Sequence, residues 1–227
     1  QIIEVINSKQ RKERSNGEAT NYPMLLVGYN RRYSPHLISI KQSLGEGKGP
    51  VNIISNMNAG FIPLDHWVHD LNQGGGRIIG EACHLIDVCV YLSGSLVRSV
   101  CMNHLGEKSD LGTDNASIML KFQDGSNAVI NYFSNGSKKY GKERVEVYSQ
   151  GRTWIVQNYR RTEAFGVKGF RTIKTKMDKG HNNQFKELIK RVKSGGESLI
   201  PLDEIINVTR ASFAAIESLK TNKWVNV

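Results

Sequence analysis

A chain of 227 residues, 39% apolar and 23% charged, is long enough for one large domain or two small ones. It buries roughly 70–75% of its unfolded surface, so neither disulfides nor metals are needed to hold it. The formal net charge of +10 is spread over many segments, without a docking motif or interleaved aromatics, which argues against nucleic acid and for a solvated basic surface or a polyanionic small substrate. No apolar run approaches the ~20 residues that span a bilayer, so no membrane partner is expected. Three cysteines, Cys83, Cys89 and Cys101, suggest no disulfide framework, and a reducing cytoplasm is the expected compartment. The first residues, Gln1 to Ile6, are too short and too acidic for a secretory segment. They lack an initiator Met, and the expectation is a piece of something longer.

In chain order, residues 1–14 read as a short helix and residues 15–21 as a polar loop. The continuous apolar run from Pro23 to Tyr29 reads as a buried strand. Pro35 opens a helix with Leu37, Ile38, Ile40 and Leu44, which Gly45 ends. A glycine-rich turn to Pro50 precedes a strand over Val51 to Met57. After Gly74-Gly75-Gly76 comes a helix from Arg77 to Ser93, closed by Gly94. Strands are then predicted over Leu96 to Met102, Ala116 to Phe122 and Asn127 to Phe133. Asp124-Gly125 makes the hairpin between the last two. Val145 to Ser149, Thr153 to Val156 and stretches between Arg160 and Thr175 continue the β pattern. Helices over His181 to Lys193 and Asp203 to Leu219, then a short strand Trp224 to Val227, close the chain. This order predicts an α+β fold, with a large open, mainly antiparallel sheet and helices on one face.

The chemistry concentrates in Gly74 to Asp87. Glycines allow a close backbone approach, and His84 on a rigid helix suits proton shuttling near neutral pH. Glu81 lies one turn before it and Asp87 one turn after, so either carboxylate is placed to orient the imidazole. The alternative is a core histidine satisfied by a backbone carbonyl. In Asp65-His66-Trp67-Val68-His69-Asp70 the ligand spacing of a known metal site is missing. Trp67 there is a candidate for stacking on a sugar, with a plain surface loop as the alternative. Asn30-Arg31-Arg32-Tyr33-Ser34-Pro35 follows the predicted strand. Its arginines suit a carboxylate or phosphate, or else a salt-bridged junction.

Val27 to Pro35 and Gly74 to Asp87, with the Ser194-Gly195-Gly196, Pro201 and long-helix ending, resemble the Gfo/Idh/MocA family, NAD(P)-dependent oxidoreductases of sugars, inositols and sugar nucleotides. The resemblance implies that residues 1–33 are the tail of a Rossmann domain. Residues 34–227 would be the substrate-binding and oligomerisation domain, of the class found C-terminally in dihydrodipicolinate reductase and glyceraldehyde-3-phosphate dehydrogenase. NAD or NADP would be held mainly upstream of Gln1, where the family's catalytic lysine should also lie. His84 matches the family histidine that moves the hydroxyl proton, and Asn30, Arg31, Trp67, Arg77 and Glu81 become substrate-side candidates. Many members carry aspartate four residues before that histidine; here the position is Gly80, with Glu81 beside it. A homo-oligomer and a sugar or sugar-nucleotide substrate are expected. The competing reading is a non-catalytic carbohydrate-binding or assembly module that keeps the fold.

Overall fold

In β5 (Glu143–Ser149) every second residue is buried, from Glu143 through Val145 and Val147 to Ser149. β1 (Asn52–Asn58) repeats the pattern with Ile53, Ser55 and Met57. This period of two is that of a sheet with one face on a core. The computed structural model describes residue 4 and residues 24–46, 49–107, 111–194 and 198–227. Its remaining strands are β2 (Val97–His104), β3 (Asn115–Phe122), β4 (Asn127–Phe133), β6 (Arg152–Gln157), β7 (Arg161–Phe165), β8 (Ile173–Lys174) and β9 (Val225–Asn226). They form one nine-stranded sheet in the order β8-β7-β6-β5-β1-β4-β3-β2-β9. β1 runs parallel to β4, and the other described pairings are antiparallel. The α+β expectation holds.

Among the described residues, four α-helices of more than one turn accompany the sheet: α1 (Pro35–Leu44), α2 (Cys83–Ser93), α3 (His181–Ser194) and α4 (Leu202–Thr221). α1 starts where Ser34 accepts the His36 N–H and Pro35 supplies a preset first turn. It ends at Gly45, with φ of 72°. Its apolar side, Leu37, Ile40 and Leu44, is buried, and Ser43 accepts the Trp154 indole N–H at 3.1 Å. Trp154 is fully buried; truncating it to alanine would cost about 3–5 kcal/mol. α2 stops at left-handed Gly94, and α4 stops at left-handed Asn222. Asn207 of α4 ties that helix to β2 by a two-way bond with the Val97 backbone, 2.8 and 2.9 Å.

Two expectations are corrected. Residues 24–29 form no strand. A continuous apolar run marks burial, but a strand also needs a neighbour, and here the segment bonds instead to Ser198 through Leu25 N–H and to Gln184 through Val27 C=O. The helix expected from Arg77 is not uniform, because a π turn over Ile78–Ala82 precedes α2. The β stretches expected between Arg160 and Thr175 are β7 and β8. The helix over 1–14 and the loop over 15–21 lie outside the described residues, apart from Glu4, which is helical.

Candidate active site

Residues 30–33 form a 3-10 turn leading into α1, and Asn30, Arg31 and Arg32 are all buried there. Arg32 donates to both oxygens of Asp87 on α2, one of them at 3.2 Å, and to Glu204 of α4 at 2.8 Å. Burial pushes the Asp87 carboxyl up to about 6 against the pull of Arg32. Arg31 grips Glu143, the first residue of β5, through Nε at 2.7 Å and Nη2 at 3.1 Å. Lys179 reaches the same carboxylate at 2.5 Å. Burial alone would raise Glu143, yet Arg31 and Lys179 hold it below the usual carboxylate range. The Asn30 amide donates to the Lys179 carbonyl at 2.8 Å.

His84 lies in the first turn of α2 beside this cluster. Its ring stands edge-to-face with Tyr29, the centroids 5.7 Å apart. Nδ1 is buried with no hydrogen-bond partner among the described residues, and Nε2 is the nitrogen left open to a ligand. Burial, with Arg31 and His181 nearby, pushes the imidazole down to about 4, although Glu143 and Glu81 pull the other way. The imidazole is therefore neutral at physiological pH. A cavity of about 370 Å³ lies beside Lys179 and His181.

Neither helix carboxylate orients the imidazole. Glu81 accepts from the Tyr132 hydroxyl at 2.5 Å, from Arg77 at 3.1 Å and from Lys142 at 3.1 Å. Burial would raise its carboxyl, but the Tyr132 bond and these cations hold it at about 2. Arg77 is itself committed to the Gly60 carbonyl, Asp114 and Glu81, with its guanidinium over the Tyr132 ring. Trp67 is 61% exposed on a separate 3-10 turn, Trp67–His69. Gly74 packs directly beneath that turn, where a Cβ would lie 2.6 Å from the Trp67 carbonyl oxygen.

The fold thus brings His84, Arg31 and Glu81 into one electrostatic neighbourhood, with Asn30 and Arg77 as braces behind it. Trp67 stays outside. Glu143, Lys179, Tyr132 and His181 were not singled out from sequence. Glu143 did carry a signal: it is a carboxylate in the inward register of an otherwise apolar alternation, Glu143-Val145-Val147.

Residues 49–155 match the family model described as GFO/IDH/MocA C-terminal domain. Among curated proteins, inositol 2-dehydrogenase of Rhizobium meliloti (strain 1021) is 25% identical over 146 residues, 60% of this chain and 42% of that protein. The uncharacterized oxidoreductase YrbE of Bacillus subtilis (strain 168) is 29% identical over 147 residues, 61% of this chain and 41% of that protein. The chain thus spans about two-fifths of the length of the curated relatives it matches. The oxidoreductase domain protein from Kribbella flavida shares the fold, with a TM-score of 0.74 at 16% identity, covering 96% of this chain and 69% of that one. Levoglucosan dehydrogenase in complex with NADH and levoglucosan also has a TM-score of 0.74, at 18% identity, covering 90% of this chain and 66% of that one. The matched stretch, residues 49–155, contains the triple-glycine loop, the π turn and His84, and in that stretch the chain is similar to the GFO/IDH/MocA C-terminal domain.

Proposed function

We propose that this chain is the substrate-side part of an NAD(P)-dependent oxidoreductase that moves hydride to or from a secondary alcohol of a sugar, cyclitol or sugar nucleotide. The observation that carries the reading is His84: one ring nitrogen sealed in the protein, the other open, beside a buried Arg31–Glu143–Lys179 cluster. The curated inositol 2-dehydrogenase relative supports the substrate class. Asn30, Arg31, Arg77 and Glu81 hold the frame around His84, and Trp67 offers an exposed ring to a sugar.

The nicotinamide cofactor, when bound, supplies the hydride donor or acceptor. Its seat belongs to an adjoining Rossmann domain, with residues 1–33 as that domain's tail and 34–227 as the substrate domain. Two features fit such a neighbour. Residues 24–29 are an apolar segment without a strand partner among the described residues. Beside it, α3 exposes Phe185 (56%), Ile189 (54%) and Val192 (66%), an apolar stripe at helical spacing.

The half-exposed sheet face is proposed as the homo-oligomer contact. Cys101, Met119, Val129 and Ile54 share one row of it. The next row is a polar ladder, Ser117 to Asn131 at 2.8 Å and Asn131 to Asn56 at 2.7 Å. The three free thiols agree with a reducing, cytoplasmic setting. Among the described residues no helix is long and apolar enough to cross a membrane.

The second reading, a non-catalytic carbohydrate-binding or assembly module, is favoured by Glu81, whose carboxylate is spent on Arg77, Tyr132 and Lys142. Titration of the protein extended upstream of Gln1 with NADH and NADPH, followed by nicotinamide fluorescence, separates the two. Saturable binding with turnover of a cyclitol or sugar panel is expected; sugar binding without nicotinamide binding leaves the module.

A further inference from the structure

We propose that His84 meets its ligand as a neutral hydrogen-bond donor through Nε2, with Nδ1 unprotonated, and polarises a substrate oxygen without taking its proton. The role at the substrate oxygen rests on the oxidoreductase reading; the tautomer rests on the structure alone.

An imidazole that accepts a proton at Nε2 must carry its own proton on Nδ1, and that N–H needs an acceptor. Among the described residues, no carboxylate near the ring bonds to it, and each is turned to other partners. Both Glu81 oxygens are taken by Tyr132, Arg77 and Lys142. Both Asp87 oxygens are taken by Arg32. Glu143 is held between Arg31 and Lys179. Gly80, one turn before the histidine, has no side chain to offer. Nδ1 is therefore buried without a partner among the described residues.

A buried orphan N–H is rarer and more costly than an under-used lone pair. The lower-energy arrangement leaves the lone pair on Nδ1 and puts the proton on Nε2, where a ligand oxygen can accept it. Charge acts in the same direction. Arg31 and His181 face the ring against Glu143 and Glu81, and with burial they keep the ring neutral at pH 7. A neutral imidazole that gave up its proton outright would become an anion, so the assignment is a hydrogen bond only. It stabilises negative charge on a carbonyl or alkoxide oxygen, and no bond is made or broken at the ring.

Long-range proton–nitrogen correlation NMR of the uniformly 15N-labelled chain at pH 7 tests this directly. The His84 signals are identified by their loss in His84→Gln. A protonated-type Nε2 shift and a lone-pair-type Nδ1 shift are expected; the opposite pattern overturns the proposal. Gly80→Asp then tests the cause. An added Cβ would lie 3.5 Å from the Gly74 carbonyl oxygen, an ordinary contact, so a carboxylate is admissible there. It should draw the proton to Nδ1 and raise the ring pKa by about one unit or more, while Gly80→Ala changes neither. A Gly80→Asp spectrum identical to wild type, in a chain with unaltered circular dichroism, would overturn the explanation by a missing acceptor. These readouts need no cofactor. Failure of nicotinamide binding would sink the oxidoreductase reading and leave the tautomer standing, and the reverse holds.

Discussion

Arg31, in the turn before α1, and Glu143, at the start of β5, are joined by two hydrogen bonds of 2.7 and 3.1 Å across 112 residues of sequence. The pair is almost fully desolvated, with Glu143 sharing one oxygen with Lys179. Removing one partner of a buried pair leaves the other charge uncompensated. Glu143→Gln should therefore cost about 3–5 kcal/mol, read as a lower urea midpoint with an unchanged m-value. The double change Arg31→Met, Glu143→Leu should cost less than Glu143→Gln alone. A single-variant loss below about 1 kcal/mol would mean that the pair is solvated in solution.

His84 makes the stability of the chain sensitive to mild acid. Its folded value, about 4, lies below the ordinary 6.5, so the fold favours the neutral ring. That stabilisation is complete above about pH 6.5 and is withdrawn as pH falls from about 6.5 to about 4. Glu81, at about 2 against an ordinary 4.5, is lost later, from about 4.5 downward. The melting-temperature difference between wild type and His84→Gln should shrink between pH 7 and pH 4. A difference independent of pH would show that the ring titrates normally.

Gly180 and Gly28 should respond unequally to alanine. Gly180 has φ of +87°, and a Cβ there would lie 2.4 Å from both the Asn30 carbonyl oxygen and the Ser34 nitrogen. Gly28 has nothing within 4 Å. Gly180→Ala should cost more than about 1 kcal/mol and Gly28→Ala less than that. Equal effects in thermal melts would contradict the close approach of the 178–180 segment to the Asn30 turn.

If the half-exposed sheet face joins subunits, Val129→Lys should shift the chain to a monomer in light scattering while its circular dichroism stays native. Val129 sits between Met119 and Ile54 in the sheet register, and a lysine there would bring a charge into the contact. An oligomer that survives the substitution would place the interface elsewhere.

The sheet was legible because its residues obey simple periodicities. Asp124-Gly125 marked the β3–β4 turn, and Gly125 has the left-handed φ of 86° that the turn requires. The segment 24–29 was not, because apolar content reports burial and is silent about pairing. The site was half legible. His84 and its glycine loop stood out locally. The fate of Glu81 depends on Tyr132 and Lys142, 51 and 61 residues away, and helical spacing cannot see contacts at that range. The π turn over Ile78–Ala82 adds to the difficulty, since it departs from the 3.6-residue period on which the facing argument rests.

The parallel partner of β1 has a consequence for how the molecule assembles. β2, β3 and β4 follow one another as antiparallel neighbours, and so do β5, β6, β7 and β8. Each set can zip up from its own turns. β1 is the seam between them, pairing with β4 across a separation of 75 residues, Asn52 against Asn127. Closing so long a loop delays its reward, so the two halves should gain hydrogen-exchange protection early in refolding and β1 last. In the finished molecule that seam holds Met57 opposite Glu143, which ties the last strand to join directly to the ion pair beside His84.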